Sequence, residues 1–331
     1  MDIKWQAIIL LGIIFFSLIL FRSWTYTSSF LNSSEKAANL ERLSKVGQPA
    51  SFDFQSVGVL NSYPSSNKTV GILARNWSIL DPEVNAKSVL IESLDKNVSL
   101  FHYNISETWP LASLTKLLTA VVFLENSRPE EKVTISQEAV VTEGGAGGLK
   151  AGEIYNSRDL LKIMILTSSN DAAAALAESL SQKNEPFDQR SAFVKLMNQK
   201  AKEIGMTQTE IAEPVGLSAA NHTTAADLLL LTEYIFNHHP EIFTWSRLPS
   251  ILVQPFNRNN SHKLNNINPL VENVDFLGGK TGTTDEAGGN LLSIFSLDND
   301  RLLVIILGSS GDRFKQDKEL LNWVNKAYYL K

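Results

Sequence analysis

The stretch that most constrains the fold is Ala112-Ser113-Leu114-Thr115-Lys116. It heads a run in which Leu114, Leu117, Leu118, Val121 and Val122 recur at helical spacing. Trp109-Pro110 keeps a helix from starting much earlier, because proline lacks the donor an interior position needs and biases the residue before it toward extended geometry. Ser113 therefore belongs near a helix N-terminus, with Lys116 one turn on and on the same face. Such spacing can bring an amine within hydrogen-bond reach of a hydroxyl, and a serine is a poor nucleophile until a neighbouring base takes its proton. The N–H groups of a helix start also favour developing negative charge.

Ser-x-x-Lys alone is a cheap pattern. It recurs at Ser33/Lys36, Ser65/Lys68 and Ser93/Lys96, none with an apolar helix behind it. Ser113 is singled out by two motifs downstream of it. Asp159 to Leu166 reads as an apolar helix that breaks at Thr167-Ser168-Ser169-Asn170, and Asp171 is expected to cap the next helix, Ala172 to Leu180. Lys280-Thr281-Gly282 then lies on an extended run, where Gly278-Gly279 before it and Gly282 after it argue against a plain strand.

Composition narrows the chemistry. The 331-residue chain carries a formal charge of −5 with no block of basic residues, so nucleic acid is not an expected partner. It has no cysteine, which excludes disulfides, thiol catalysis and thiolate metal sites. Its five histidines show no metal-ligand spacing, and His238-His239 before Pro240 reads as a helix end. No metal or cofactor is expected.

In chain order, residues 5 to 21 are almost wholly apolar, interrupted by Gln6 and Ser17 and flanked by Lys4 and Arg22. Residues 1–24 are read as a membrane anchor or signal; the anchor is preferred because no small-x-small cleavage site comes after it. Residues 25–84, rich in Ser and Asn, are read as a stalk with little regular structure. Residues 85–331 are read as the catalytic domain. Ser88 to Leu94 and Val98 to Tyr103 form a hairpin across Asp95-Lys96-Asn97. After the Ser113 helix, Gly144 to Gly148 reads as a flexible loop that lacks the Lys-Ser/Thr ending of a phosphate loop. Further helices are expected at Phe193 to Ile204 and Thr224 to Asn237. Strands are expected at Val274 to Gly282, Asn290 to Leu297 and Arg301 to Gly308, then a closing helix from Phe314 to Tyr329. The expected class is α/β (α+β), with strands from both ends joined in one antiparallel sheet and helices covering it.

Ser113-x-x-Lys116, Ser168-Ser169-Asn170 and Lys280-Thr281-Gly282, in this order, are the trio of penicillin-interacting serine enzymes. The surrounding residues Ala112 to Ala120, Ser168 to Ala173 and Gly279 to Thr284 resemble the low-molecular-mass penicillin-binding proteins, serine D-alanyl-D-alanine carboxypeptidases and endopeptidases. Gly205-Met206-Thr207, Pro214-x-Gly216-Leu217 and Asn268-Pro269-Leu270 extend the likeness over residues 86 to the end. The resemblance implies a penicillin-binding-protein-like fold, with a five-stranded antiparallel sheet flanked by helices and a helical region inserted. It implies a peptidoglycan stem peptide ending in D-Ala-D-Ala as substrate, β-lactams as covalent inhibitors, and an extracytoplasmic catalytic domain.

The resemblance also implies roles. Ser113 would form the acyl-enzyme, and Lys116, desolvated beside another lysine, would be the general base. Ser168 would relay a proton to the leaving amine, and Asn170 would position Lys116 and the substrate amide. Lys280, Thr281 and Thr283 would receive the terminal carboxylate, and Gly282 would let the substrate backbone approach. The N–H groups of Ser113 and Thr283 would form the oxyanion hole. Two departures stand out. The family usually has Asn where this chain has Glu213, before Pro214. The chain also stops after the closing helix without the C-terminal β-rich domain of many carboxypeptidases, which resembles the endopeptidase branch. A class A β-lactamase and a non-hydrolytic penicillin sensor are the alternatives. Against the first, Glu213 is expected to be solvated or capping rather than a deacylating base, and the middle motif is Ser-Ser-Asn rather than Ser-Asp-Asn.

Overall fold

The computed structural model describes residues 73–180, 189–298 and 300–330. All belong to a unit spanning Ser65–Lys331. The expected anchor, most of the expected stalk and the pairs Ser33/Lys36 and Ser65/Lys68 lie outside the described residues. Among the described residues no helix is long and apolar enough to cross a membrane.

The unit opens with β1 (Leu73–Arg75). The hairpin of β2 (Ser88–Ser93) and β3 (Val98–Tyr103) comes next, turning at Asn97 with φ +52°, a conformation asparagine tolerates. After β4 (Trp109–Pro110) a single 3-10 turn, Ala112–Leu114, runs into α1 (Thr115–Asn126). Next come β5 (Lys132–Thr134), the short α2 (Gln137–Val140), β6 (Ile154–Asn156), α3 (Ser157–Thr167), α4 (Asn170–Ser179) and α5 (Gln189–Ile204). Then β7 (His222–Thr223), α6 (Ala225–His238), α7 (Glu241–Ser246) and the hairpin of β8 (Ser250–Val253) and β9 (His262–Asn265) complete the helical block. The chain ends with β10 (Phe276–Thr284), β11 (Gly288–Leu297), β12 (Asp300–Ser309), α8 (Arg313–Ala327) and β13 (Tyr328–Leu330).

Strands from both ends form the five-stranded sheet β10-β11-β12-β2-β3, antiparallel throughout, as the strand pattern leads one to expect. Side chains alternate across a strand, so one face packs Val89, Ile91, Leu291, Val304 and Ile306 against Leu320, Trp323 and Val324 of α8. Leu90, Leu303 and Ile305, on the opposite face, are equally buried, and α6 covers β2 and β12 there. Each such side chain withdrawn from water contributes about 1.5–3 kcal/mol. Both faces being covered explains why β2 is buried at every residue rather than at every second one.

Several expectations are corrected. Residues 73–84 pack on the folded unit rather than extending as stalk: β1 pairs with β13, Arg75 stacks on Trp323 and Tyr328, and Trp323 Nε1 donates to Leu80 O at 2.7 Å. Ser169, not Asp171, is the N-cap of α4, its hydroxyl accepting from Ala172 N, while Asp171 accepts from Ser169 Oγ. The Gly144–Gly148 segment packs against the Ser168-Ser169-Asn170 turn: a Cβ on Gly144 would meet Asn170 Nδ2 at 2.5 Å, and one on Gly147 would meet Ser169 Oγ at 3.0 Å. Ser93 and Lys96 have their own partner, both donating to Asp300 Oδ2 at 2.6 Å beneath the β2–β3 hairpin.

Candidate active site

The helix-start geometry expected at Ser113 is realised through a strained turn. Ala112 holds φ +47°, where a residue with a side chain costs about 1–3 kcal/mol and stays only if its surroundings enforce it. They do. Asn290, fully buried on β11, donates Nδ2 to Pro110 O at 2.8 Å and to Leu111 O at 3.1 Å, and accepts from Gly308 N. Leu111 N donates to Asn221 O, and Thr115 Oγ1 donates to Ala112 O at 2.8 Å. On the other side, the α-carbon of Gly216 lies so close that a Cβ would sit 2.1 Å from Ala112 O.

Lys116 is wholly buried, and its Nζ has three oxygen neighbours: Ser113 Oγ at 2.9 Å, Asn170 Oδ1 at 2.6 Å and Val215 O at 2.5 Å. Burial lowers its pKa from 10.5 to about 7, against the opposing pull of Glu213 and Asp171. Asn170 and Val215 present carbonyl oxygens, which only accept. A neutral amine has two N–H donors and one lone pair. With both donors taken by those carbonyls, the lone pair is left facing the Ser113 hydroxyl. Asn170 is itself fixed, because Nδ2 donates to Glu143 O at 2.6 Å.

Ser168 also sits in the left-handed region, φ +57°, in the break between α3 and α4. Its Oγ accepts from Lys280 Nζ at 2.8 Å, and the same amine donates to Thr281 O at 2.8 Å. Burial, then the neighbouring Lys116 and Arg313, push the Lys280 pKa well below its ordinary range. The two amines thus lie buried behind half-exposed Ser113 and Ser168, while Thr283 at the end of β10 is exposed. Gly282 has a different reason to be glycine from the one its sequence suggested. A Cβ there would meet Ser113 N at 2.9 Å and Leu111 O at 3.2 Å, so the serine turn itself fills that space.

The structure therefore brings together Ser113, Lys116, Ser168, Asn170, Lys280, Thr281, Gly282 and Thr283. Sequence reasoning missed Arg313, whose Nη1 donates to Gly282 O at 2.9 Å and to Thr283 Oγ1 at 2.5 Å. A lone arginine at a helix start carries no motif. The backbone carbonyls of Glu143 and Val215 were equally invisible. Glu213 is half-buried and takes the capping alternative rather than that of a free base, since its carboxylate accepts from several N–H groups of its own loop. Among the described residues no cluster of His, Asp or Glu could hold a metal ion.

Comparison with known proteins gives this constellation its context. The peptidase S11 family, D-alanyl-D-alanine carboxypeptidase, matches residues 76–311. A D-alanyl-D-alanine endopeptidase of Pseudomonas aeruginosa is 31% identical over 252 residues, covering 74% of this chain and 79% of that protein. The D-alanyl-D-alanine carboxypeptidase DacC of Escherichia coli is also 31% identical, over 76% of this chain and 64% of its own length. Among solved structures, the carboxypeptidase DacD from Francisella tularensis superposes with a TM-score of 0.66 at 27% identity, covering 76% of this chain and 74% of that one. A D-alanyl-D-alanine carboxypeptidase from Mycobacterium tuberculosis shares the fold, with a TM-score of 0.68 at 24% identity over 76% of this chain and 95% of that one. The chain belongs to the peptidase S11 family, the low-molecular-mass penicillin-binding proteins, and is a DD-peptidase by family.

Proposed function

We propose that the chain hydrolyses the terminal D-alanyl–D-alanine bond of peptidoglycan stem peptides, as a carboxypeptidase acting outside the cytoplasm. The observation that carries this reading is the placement of Lys116 Nζ 2.9 Å from Ser113 Oγ, with the carbonyl oxygens of Asn170 and Val215 at 2.6 and 2.5 Å to take the N–H groups of the neutral amine. Ser113 Oγ attacks the carbonyl of the penultimate residue as its proton passes to Lys116 Nζ. The oxyanion is stabilised by the N–H groups of Ser113 and Thr283. The C–N bond breaks as the leaving amine takes, through Ser168, the proton that Lys116 had received, which leaves Lys116 neutral again; Lys280 orients Ser168. D-Alanine departs. Water then gives a proton to Lys116 and attacks the ester carbonyl, and Ser113 recovers its hydrogen as the acyl group leaves. The departing residue's carboxylate binds at the end of β10, where Thr281, Thr283 and Arg313 converge near Lys280.

A second reading, cleavage of D-amino-acid cross-links between peptide strands, is supported by the endopeptidase relatives. This chain spans 79% and 86% of the length of two of them, against 64% of DacC. The carboxylate-binding end serves either reading, because the amine side of a D,D cross-link also carries a carboxylate beside the scissile nitrogen. Chromatography of products from a pentapeptide monomer and from a cross-linked dimer separates the two. The carboxypeptidase reading expects D-alanine release to be the faster reaction. Preferential conversion of dimer to monomers, with the monomer's terminal D-alanine left in place, would reverse the choice.

A further inference from the structure

Glu213 stands where the chain departs from the family resemblance, and its surroundings are unusual for a loop carboxylate. Oε2 accepts from Val215 N at 2.7 Å. Oε1 accepts from Gly216 N and Leu217 N at 2.7 Å, from Ser218 N at 3.2 Å and from Asn221 Nδ2 at 3.1 Å. Five donors converge on one side chain. A carboxylate suits such a nest because it only accepts and offers about four lone-pair sites, whereas a side-chain amide would turn its own N–H groups toward one set of these donors.

The loop so gathered is stitched to the start of α1. Asn221, fully buried, donates to Thr115 Oγ1 at 3.1 Å and to Glu213 O at 2.8 Å, and accepts from Ala212 N and Glu213 N. Thr119 Oγ1 donates to Pro214 O at 2.6 Å. Between these two ties lie Val215, whose carbonyl takes an N–H of Lys116, and Gly216, packed under Ala112 O. The Val215 N–H is gripped by Glu213 while the Val215 carbonyl grips the amine.

We propose that Glu213 is a positioning residue for Lys116: its carboxylate holds the 215–218 turn so that the Val215 carbonyl occupies one N–H of the amine, and it places a negative charge beside that amine. The charged groups acting on Lys116 come from two directions, Glu213 from this loop and Asp171 from α4, while Lys280 on β10 is the group that Lys116 itself acts on. Glu213 is the larger of the two anionic influences and works against burial, favouring the protonated amine. The inference rests on Lys116 being the base that activates Ser113.

The test is the pH dependence of the acylation rate constant with benzylpenicillin, with the adduct located by mass spectrometry. In the wild type, acylation requires the neutral amine, so the rate rises with pH through about 7 and then levels. Removing the neighbouring anion in Glu213→Gln lowers the pKa of the amine, so the rising limb moves down by about one pH unit. Glu213→Asp keeps the charge, but its shorter arm cannot span Val215 N to Ser218 N; the limb stays near the wild type and the plateau falls about tenfold, as for a misplaced catalytic group. Release of the penicilloyl group above the limb changes less than about tenfold in Glu213→Gln, unlike the loss of a general base. An unmoved limb in folded Glu213→Gln overturns the inference. Should Glu213→Gln not fold, an unchanged plateau in Glu213→Asp overturns it. A wild type labelled somewhere other than Ser113 would instead overturn the functional reading on which it rests.

Discussion

Arg313 is the residue whose role is most exposed to experiment. Its Nη1 bridges Gly282 O and the hydroxyl of Thr283 at the mouth of the cleft, and its Nε is buried with no hydrogen-bond partner. In the proposed reaction a cation held there would meet the substrate carboxylate, not the scissile carbonyl, so its loss should act on binding. Hydrogen bonds to charged groups contribute about 1.5–3 kcal/mol, which is roughly ten- to a hundredfold in affinity. Arg313→Ala is expected to raise KM for a D-Ala-D-Ala peptide by about that factor while kcat changes little. A peptide with an amidated C-terminus should discriminate poorly between the two proteins. Equal loss of activity on the acid and the amide would assign Arg313 to the architecture of β10 instead.

At the scale of elements, the contact of α8 with the sheet contains a buried acid. Asp317 is fully buried, accepts from Ser293 Oγ of β11 at 2.6 Å, and has a second oxygen with no partner. Burial raises its pKa from 3.8 to about 7, with Ser293 opposing. Below the ordinary carboxylate range the folded and unfolded chains both hold this proton. Between there and about pH 7 only the folded chain holds it, so the wild type loses stability as pH rises; above about 7 that loss is complete and flat. Asp317→Asn carries no such charge. Its melting temperature should match the wild type near pH 4, exceed it increasingly up to about pH 7 by on the order of 5 °C, and keep a constant lead above. A difference that does not change with pH would show that Asp317 stays ionised in the fold.

Over the whole molecule, the features legible in the sequence are those contiguous along the chain. Ser113 and Lys116 share a helical turn, Ser168 and Asn170 share one break, and Lys280 to Thr283 share one strand, so spacing and order were enough to find them. The sheet was legible too, because β2, β3, β11 and β12 carry apolar runs bounded by turn residues, and β10 carries the Lys280-Thr281-Gly282 motif. The helical block was less so. Its two-residue strands and the four-residue α2 are shorter than any periodicity can register, and at the junction of α6 and α7 His238-His239-Pro240 marks the end of the first helix but not the start of the second, six-residue one. The partners that complete the site were illegible for another reason. Val215 and Glu143 act through main-chain carbonyls that every residue possesses, and Arg313 reaches β10 only after the chain has turned back through β11 and β12. Gly144 to Gly148 looked mobile by composition, but at Gly144 and Gly147 the Ser168-Ser169-Asn170 turn fills the space a side chain would need. The same spacing at Ser93 and Lys96 gives an ion pair with Asp300, so the pattern acquires meaning only where a second oxygen and a buried helix meet the amine. The central claim is that this convergence makes Ser113 the nucleophile, and mass spectrometry of the protein after incubation with benzylpenicillin tests it most directly. The account predicts one penicilloyl adduct on the peptide containing Ser113, lost in Ser113→Ala; an adduct on Ser93, Ser168 or any other serine, or labelling that survives Ser113→Ala, would contradict it.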